Sequence, residues 1–173
     1  MSLRRAVFFD RDGTLMEEAG YCADPRLVKV FPGIPEALRK LKEAGFLALI
    51  ITNQSGIGRR LITEAQYHAV QQELLRQIGP GLIDATYYCP DAPEVLSARR
   101  KPEPGMVFEA AAEFGVDLAA SYFVGDKSID IECGRRAGMT TILVLTGYGK
   151  LQNARPNYTV GDAPQAADLI LKR

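Results

Sequence analysis

The chain has 173 residues and is 47% hydrophobic, enough to bury one substantial core but leaving little room for a second domain. Lysine plus arginine and aspartate plus glutamate stand at 21 each, so no basic excess marks a nucleic-acid or anionic-membrane partner. No apolar run reaches membrane-spanning length, and Met1-Ser2-Leu3-Arg4-Arg5 lacks the apolar core of a secretory leader, so a cytoplasmic protein is expected.

The first predicted strand, Ala6-Val7-Phe8-Phe9, runs directly into Asp10-Arg11-Asp12-Gly13-Thr14. Residues two apart on an extended backbone point the same way, so Asp10 and Asp12 are expected to share one small site. Two carboxylates there repel unless a cation lies between them or one holds a proton. The arrangement suits a hard ion such as Mg²⁺ beside a nucleophile and a general acid/base. An EF-hand loop wants an oxygen-bearing carboxylate or amide at its fifth position and a glutamate at its twelfth, where this chain has Thr14 and Tyr21. By themselves, Asp10 and Asp12 fit an ordinary Asp-Gly turn as well as a catalytic pair.

A helix is predicted over 35–44, with Pro35 near its start, Ala37, Leu38 and Leu41 on one side, and Gly45 as its stop. The apolar run Phe46-Leu47-Ala48-Leu49-Ile50-Ile51 has the look of a buried parallel strand and exits into Thr52-Asn53-Gln54-Ser55-Gly56. Thr63-Glu64-Ala65-Gln66 has capping-box spacing and opens a helix through Ile78, before the Gly79-Pro80-Gly81 break. A strand follows over 85–89, then a helix over 105–114 entered through Pro104. Ser121-Tyr122-Phe123-Val124 forms another strand and exits into Gly125-Asp126-Lys127-Ser128-Ile129-Asp130. A helix over 127–137, a strand over 141–145 and a closing helix over 165–171 complete the series. Gly147-Tyr148-Gly149 and Pro156-Asn157 read as loops without an assigned role. This alternation predicts one α/β sandwich over 1–173, with right-handed crossovers and a mainly parallel sheet. Ligands in such sheets bind beyond the carboxyl ends of the strands, where all three polar clusters fall.

Several chemistries drop out. Cys22, Cys89 and Cys133 are odd in number and widely spaced, fitting reduced thiols rather than a disulfide framework. The single histidine, His68, lies inside a predicted helix away from the strand ends, so a Ser-His-Asp triad is rejected. Gly56-Ile57-Gly58 lacks the third glycine of a dinucleotide fingerprint, and no phosphate-loop Gly-Lys-Ser/Thr follows.

The ordered set of Asp10-x-Asp12-Gly13-Thr14, Thr52, Lys101 and Gly125-Asp126-x-x-x-Asp130 resembles the four motifs of the haloacid dehalogenase superfamily of phosphohydrolases and covers nearly the whole chain. Gly20-Tyr21, Phe31-Pro32-Gly33, Thr52-Asn53-Gln54-Ser55-Gly56-Ile57, Tyr88-Cys89-Pro90, Arg100-Lys101-Pro102-x-Pro104-Gly105-Met106 and Val124-Gly125-Asp126-Lys127 further resemble the heptose-1,7-bisphosphate phosphatases, with histidinol-phosphate phosphatases as near relatives. The resemblance implies a Rossmann-like three-layer α/β sandwich with no large cap domain. It implies Asp10 as nucleophile, forming an aspartyl-phosphate, and Asp12 as general acid/base. Mg²⁺ would be held by Asp10, the Asp12 backbone carbonyl and Asp126; Thr52 and Lys101 would bind the phosphoryl oxygens. Asn53, Gln54, Ser55, Arg100, Lys127 and the segment Glu18-Ala19-Gly20-Tyr21 match substrate-contact positions. For Asp130, orienting Lys127 or Mg²⁺ and a plain helix-surface place both remain open.

One departure is plain. The resembled family usually carries a Cys-x-His and Cys-x-Cys zinc loop before its Arg-Lys, whereas here Cys89-Pro90-Asp91 is followed by 92–99 without cysteine. One cysteine cannot supply four soft ligands, so no zinc is expected. The expected activity is removal of the 7-phosphate of a heptose bisphosphate within heptose biosynthesis, the alternatives being histidinol phosphate or another small phosphomonoester, and a non-catalytic phosphosugar-binding module. A monomer is expected, acting on a small phosphorylated sugar, with neither nucleic acid nor membrane as partner.

Overall fold

The computed structural model describes residues 3–173; Met1 and Ser2, part of the N-terminal stretch read above, lie outside the described residues. Six strands form one sheet: β1 (Ala6–Phe9), β2 (Leu47–Asn53), β3 (Ala85–Cys89), β4 (Tyr122–Gly125), β5 (Thr140–Val144) and β6 (Tyr158–Val160). Their order is β3-β2-β1-β4-β5-β6, and every pairing is parallel. The helices are α1 (Ile34–Glu43), α2 (Ser55–Gly58), α3 (Glu64–Ile78), α4 (Gly105–Phe114), α5 (Ser128–Arg136) and α6 (Ala163–Leu171). No helix is long and apolar enough to cross a membrane among the described residues.

The predicted capping box opens α3: Thr63 Oγ1 accepts from the Gln66 N–H at 3.1 Å, and Gln66 Oε1 accepts from the Thr63 N–H at 2.8 Å. Successive residues of β1 face opposite layers, as a pleated strand requires. Val7 and Phe9 pack with Leu38 and Leu41 of α1, Val70 and Leu74 of α3 and Ala167 of α6. Ala6 and Phe8 pack with Met106 and Val107 of α4 and Cys133 of α5. Burial on both faces explains why β1 and β2 read as unbroken apolar runs rather than alternating ones.

Strand order turns back at β1, whose neighbours β2 and β4 lead to opposite edges. A crevice opens at such a switch point, beyond the carboxyl ends of the strands. Asp10 follows β1 and Asp126 follows β4, so sheet topology alone brings them to the same crevice.

The short helix α2 and strand β6 are not among the elements expected from the sequence. Strand β6 lies beside the stretch read as a loop. Asn157 Oδ1 accepts from the Thr141 N–H at 2.8 Å and from Thr141 Oγ1 at 3.0 Å, which seats the chain in register with β5. After β1 the N–H groups of Thr14, Leu15 and Met16 all donate to the Arg11 carbonyl, which turns the chain directly behind the first motif.

Candidate active site

Asp10 is anchored by its own backbone: its N–H donates to the Val124 carbonyl of β4 at 3.0 Å, locking the exits of the two strands together. Its Oδ1 accepts from Lys101 Nζ at 2.8 Å. Burial alone would raise this carboxyl, but the Lys101 and Lys127 ammonium groups hold it below its usual range.

Lys101 precedes α4 and points inward, with its ammonium also donating to the Ile51 carbonyl at 2.8 Å and to Asp130 Oδ1 at 2.7 Å. All three ammonium donors are thereby satisfied. Burial opposes its charge, yet Asp10 and Asp130 outweigh it and raise the Lys101 pKa. Asp130 is itself fully buried, and its Oδ2 reaches back to accept from the Lys127 N–H at 3.0 Å at the start of α5. Burial and the nearby Asp10 push Asp130 up to about 6.

Asp126 is the electrostatic misfit. Its Oδ2 accepts from the Tyr148 N–H at 2.9 Å, while its Oδ1 is buried with no hydrogen-bond partner. Burial first and Asp10 second push its carboxyl up to about 8. Carboxylate oxygens of Asp10, Asp126 and Asp130 lie within 4.8 Å of one another, the one such group among the described residues. A partnerless buried oxygen beside two further carboxylates is the donor set of a hard divalent cation, which would relieve that repulsion. The backbone is shaped around the same carboxylate. A Cβ at Gly13 or Gly147, both with positive φ, would overlap the Asp126 side chain.

Asp12 is not one of those three carboxylates, and its side chain has partners of its own. Arg11 takes it bidentately, Nε to Oδ2 and Nη2 to Oδ1, both at 3.0 Å, and Gln54 Nε2 donates to Oδ2 at 3.0 Å. Gln54 also donates to Thr52 Oγ1 at 2.9 Å, linking the end of β2 to the general acid/base candidate. Asn53 and Lys101 exchange two bonds of 3.0 Å, Asn53 Nδ2 to the Lys101 carbonyl and the Lys101 N–H to Asn53 Oδ1. That pair clamps the lysine-bearing loop to β2.

A cavity of about 340 Å³ opens beside Asp12, lined by Glu18, Gly20, Tyr21, Asn53, Gln54, Ser55, Lys127 and Tyr148. Lys127 Nζ sits 3.4 Å from Glu18 Oε2. Two residues matched by resemblance do not line it. Ala19 packs against the core, and Arg100 is drawn off by the Asp91 carbonyl, to which its Nη1 donates at 2.9 Å. Cys89, at the site of the altered loop, has Asp91 and Ser97 as polar neighbours, at 3.4 and 3.7 Å. Sequence reasoning missed Arg11 and Tyr148 and left Asp130 open. For Arg11 the only signal was a cation between two acids, and for Tyr148 none was local.

A family model described as HAD-hydrolase-like matches residues 98–168. A D-glycero-D-manno-heptose-1,7-bisphosphate 7-phosphatase of Thermosynechococcus vestitus is 37% identical, covering 96% of this chain and 95% of the relative. The D-glycero-beta-D-manno-heptose-1,7-bisphosphate 7-phosphatase of Yersinia pestis is 38% identical over 96% of this chain and 89% of its own length. The crystal structure of D,D-heptose 1,7-bisphosphate phosphatase from B. bronchiseptica, complexed with magnesium and phosphate, superposes with a TM-score of 0.90 at 30% identity, covering 97% of this chain and 98% of that one. With Asp10, Lys101 and Asp126 converging at the switch point of a parallel sheet, and with that likeness along nearly its whole length, the chain belongs to the haloacid dehalogenase-like family of heptose-1,7-bisphosphate phosphatases.

Proposed function

We propose that the chain is a Mg²⁺-dependent phosphomonoester hydrolase that removes the 7-phosphate of D-glycero-D-manno-heptose 1,7-bisphosphate. The observation that carries this reading is the meeting of Asp10, Asp126 and Asp130 around one point, with the Lys101 ammonium on Asp10. Kinship to enzymes named for that activity supports the choice of substrate.

Asp10 attacks phosphorus with the carboxylate oxygen that Lys101 does not hold, forming an aspartyl-phosphate and expelling the sugar oxygen. Asp12, at the wall of the sugar cavity, must carry a proton when substrate arrives; it gives that proton to the departing C7 oxygen and recovers one from the water that cleaves the acyl phosphate. Thr52 donates its hydroxyl to a phosphoryl oxygen, and Lys101, its three donors taken by Asp10, Ile51 and Asp130, contributes a fixed positive charge beside the transferring group. Asp10, Asp126 and the Asp12 backbone carbonyl would hold Mg²⁺, which when bound supplies charge neutralisation where a phosphate dianion meets carboxylates. Asp130 has both oxygens committed, to Lys101 and to the Lys127 N–H, so it positions the lysine rather than touching the phosphate. Glu18, Gly20, Tyr21, Asn53, Gln54, Ser55 and Lys127 face the sugar.

Release of inorganic phosphate from heptose bisphosphate and from histidinol phosphate, measured on purified protein with Mg²⁺, tests the reading. A kcat/KM at least about tenfold higher for the heptose supports it, since that margin is about 1.4 kcal/mol of differential transition-state binding. An inert wild type, or an Asp10→Asn variant of undiminished activity, removes it.

A further inference from the structure

The loop after β5, which carries no expected role, forms one wall of the cavity beside Asp12. Its backbone is tied down on both sides of the glycine. Thr146 Oγ1 donates to the Gly13 carbonyl at 2.7 Å, and the Tyr148 N–H donates to Asp126 Oδ2. Gly147 between them takes φ +53°, against Gly13 and Asp126. The Tyr148 backbone is therefore placed by Asp126, while the residue remains 42% exposed. Lys127 Nζ lies 5.0 Å from the ring centroid, over one face of the ring.

The same cavity is lined by Tyr21, 48% exposed, its ring braced where a Cβ on Gly56 would come within 2.7 Å of Cδ1. Two half-exposed tyrosines on one polar cavity that Lys127 and Glu18 also line match a ligand that has both apolar C–H faces and hydroxyl groups. A sugar has both.

We propose that Tyr148 is a specificity-determining residue whose ring receives the C–H face of the sugar carrying the phosphate. The proposal rests on the sugar-phosphatase reading above and deepens it. The ring contributes where the substrate extends beyond its phosphate, and the backbone N–H on Asp126 sets where that ring stands.

The test assays wild type, Tyr148→Ala and Tyr148→Phe, as full chains with Mg²⁺, on heptose bisphosphate and on acetyl phosphate, which lacks a sugar face. The alanine variant lowers kcat/KM for the heptose about tenfold more than for acetyl phosphate, mainly through KM, and phenylalanine restores the ratio to within about twofold. Calorimetric titration of heptose bisphosphate into Asp10→Asn shows a matching loss of affinity once Tyr148→Ala is added. Equal losses on the two substrates, or no loss on either, overturn the assignment. If the wild type spares heptose bisphosphate but hydrolyses another sugar phosphate, only the choice of heptose fails, and the ratio is read on the sugar phosphate it hydrolyses best. A wild type that hydrolyses no sugar phosphate overturns both.

Discussion

Arg11 holds its neighbour Asp12 by two parallel hydrogen bonds of 3.0 Å, one to each carboxylate oxygen. The guanidinium is 1% exposed and its Cζ stands 5.5 Å from the centroid of the Tyr67 ring, so packing fixes the fork before it meets the carboxylate. Arg11→Met leaves Asp12 with Gln54 alone. We expect kcat to fall about 10- to 100-fold with a smaller change in KM, because proton transfer depends on a placed carboxylate. Arg11→Lys recovers only part, since a point charge cannot bond both oxygens. Urea unfolding of Arg11→Met is expected to show a loss of about 3 kcal/mol from the broken, largely buried pair. Steady-state kinetics alongside that melt check both halves.

Asp130 supports Lys101 from the side opposite Asp10. Asp130→Asn preserves shape and can still accept one bond, so the protein folds while Lys101 loses a charge partner and is less firmly aimed. A drop in kcat of roughly tenfold is expected from the misplacement. Asp130→Ala leaves the buried ammonium and the Lys127 N–H short of partners, and is expected to unfold at distinctly lower urea as well. Equal stability of the two variants would contradict this account.

The partnerless Asp126 Oδ1 makes the fold sensitive to its cation. Mg²⁺ at a hundredfold excess over Kd is expected to stabilise the protein by about 2.7 kcal/mol, or roughly 5–10 °C of melting temperature, reversed by EDTA. Gly147→Ala places a Cβ on the Asp126 carboxylate and forces a strained backbone, so its melting temperature should no longer respond to Mg²⁺. Differential scanning calorimetry with and without the ion decides the point.

Cys133 is fully buried in the layer beneath α4 and α5, and burial pushes its thiol up to about 12. The unfolded thiol ionises near pH 8.5, so between that value and the folded one the native state binds more protons and stability falls as pH rises. Below pH 8.5 or so both states are protonated and the contribution is intact. The stability gap between wild type and Cys133→Ala should therefore shrink by about 1.4 kcal/mol per pH unit from roughly pH 9 to 11. A gap independent of pH, in chemical denaturation at pH 8 and pH 10.5, would falsify this.

The predictions differ in how visible their residues were. Gly105–Phe114 and Ala85–Cys89 were read with the bounds the structure has, because their starts and stops are local: Pro104 ahead, Gly115 behind, a tyrosine-rich run before Pro90. Strand β6 was invisible because three residues hold their place through Asn157 on Thr141, a contact made across the sheet. The Arg11 fork on Asp12 was invisible because it depends on a guanidinium buried against Tyr67, a contact made across the fold.

Sequence by itself determined the α/β alternation, the crossover helices with their caps, and which strand exits bear acids, amides and lysine, since propensity, periodicity and capping act over a few residues. Only the tertiary structure decided that Asp130 joins Asp10 and Asp126, that Asp12 turns to Arg11, that Arg100 and Ala19 leave the cavity, and that Tyr148 enters it. Those outcomes hang on competing hydrogen bonds and charges between segments far apart in the chain, and such competitions are settled by which groups burial leaves without water.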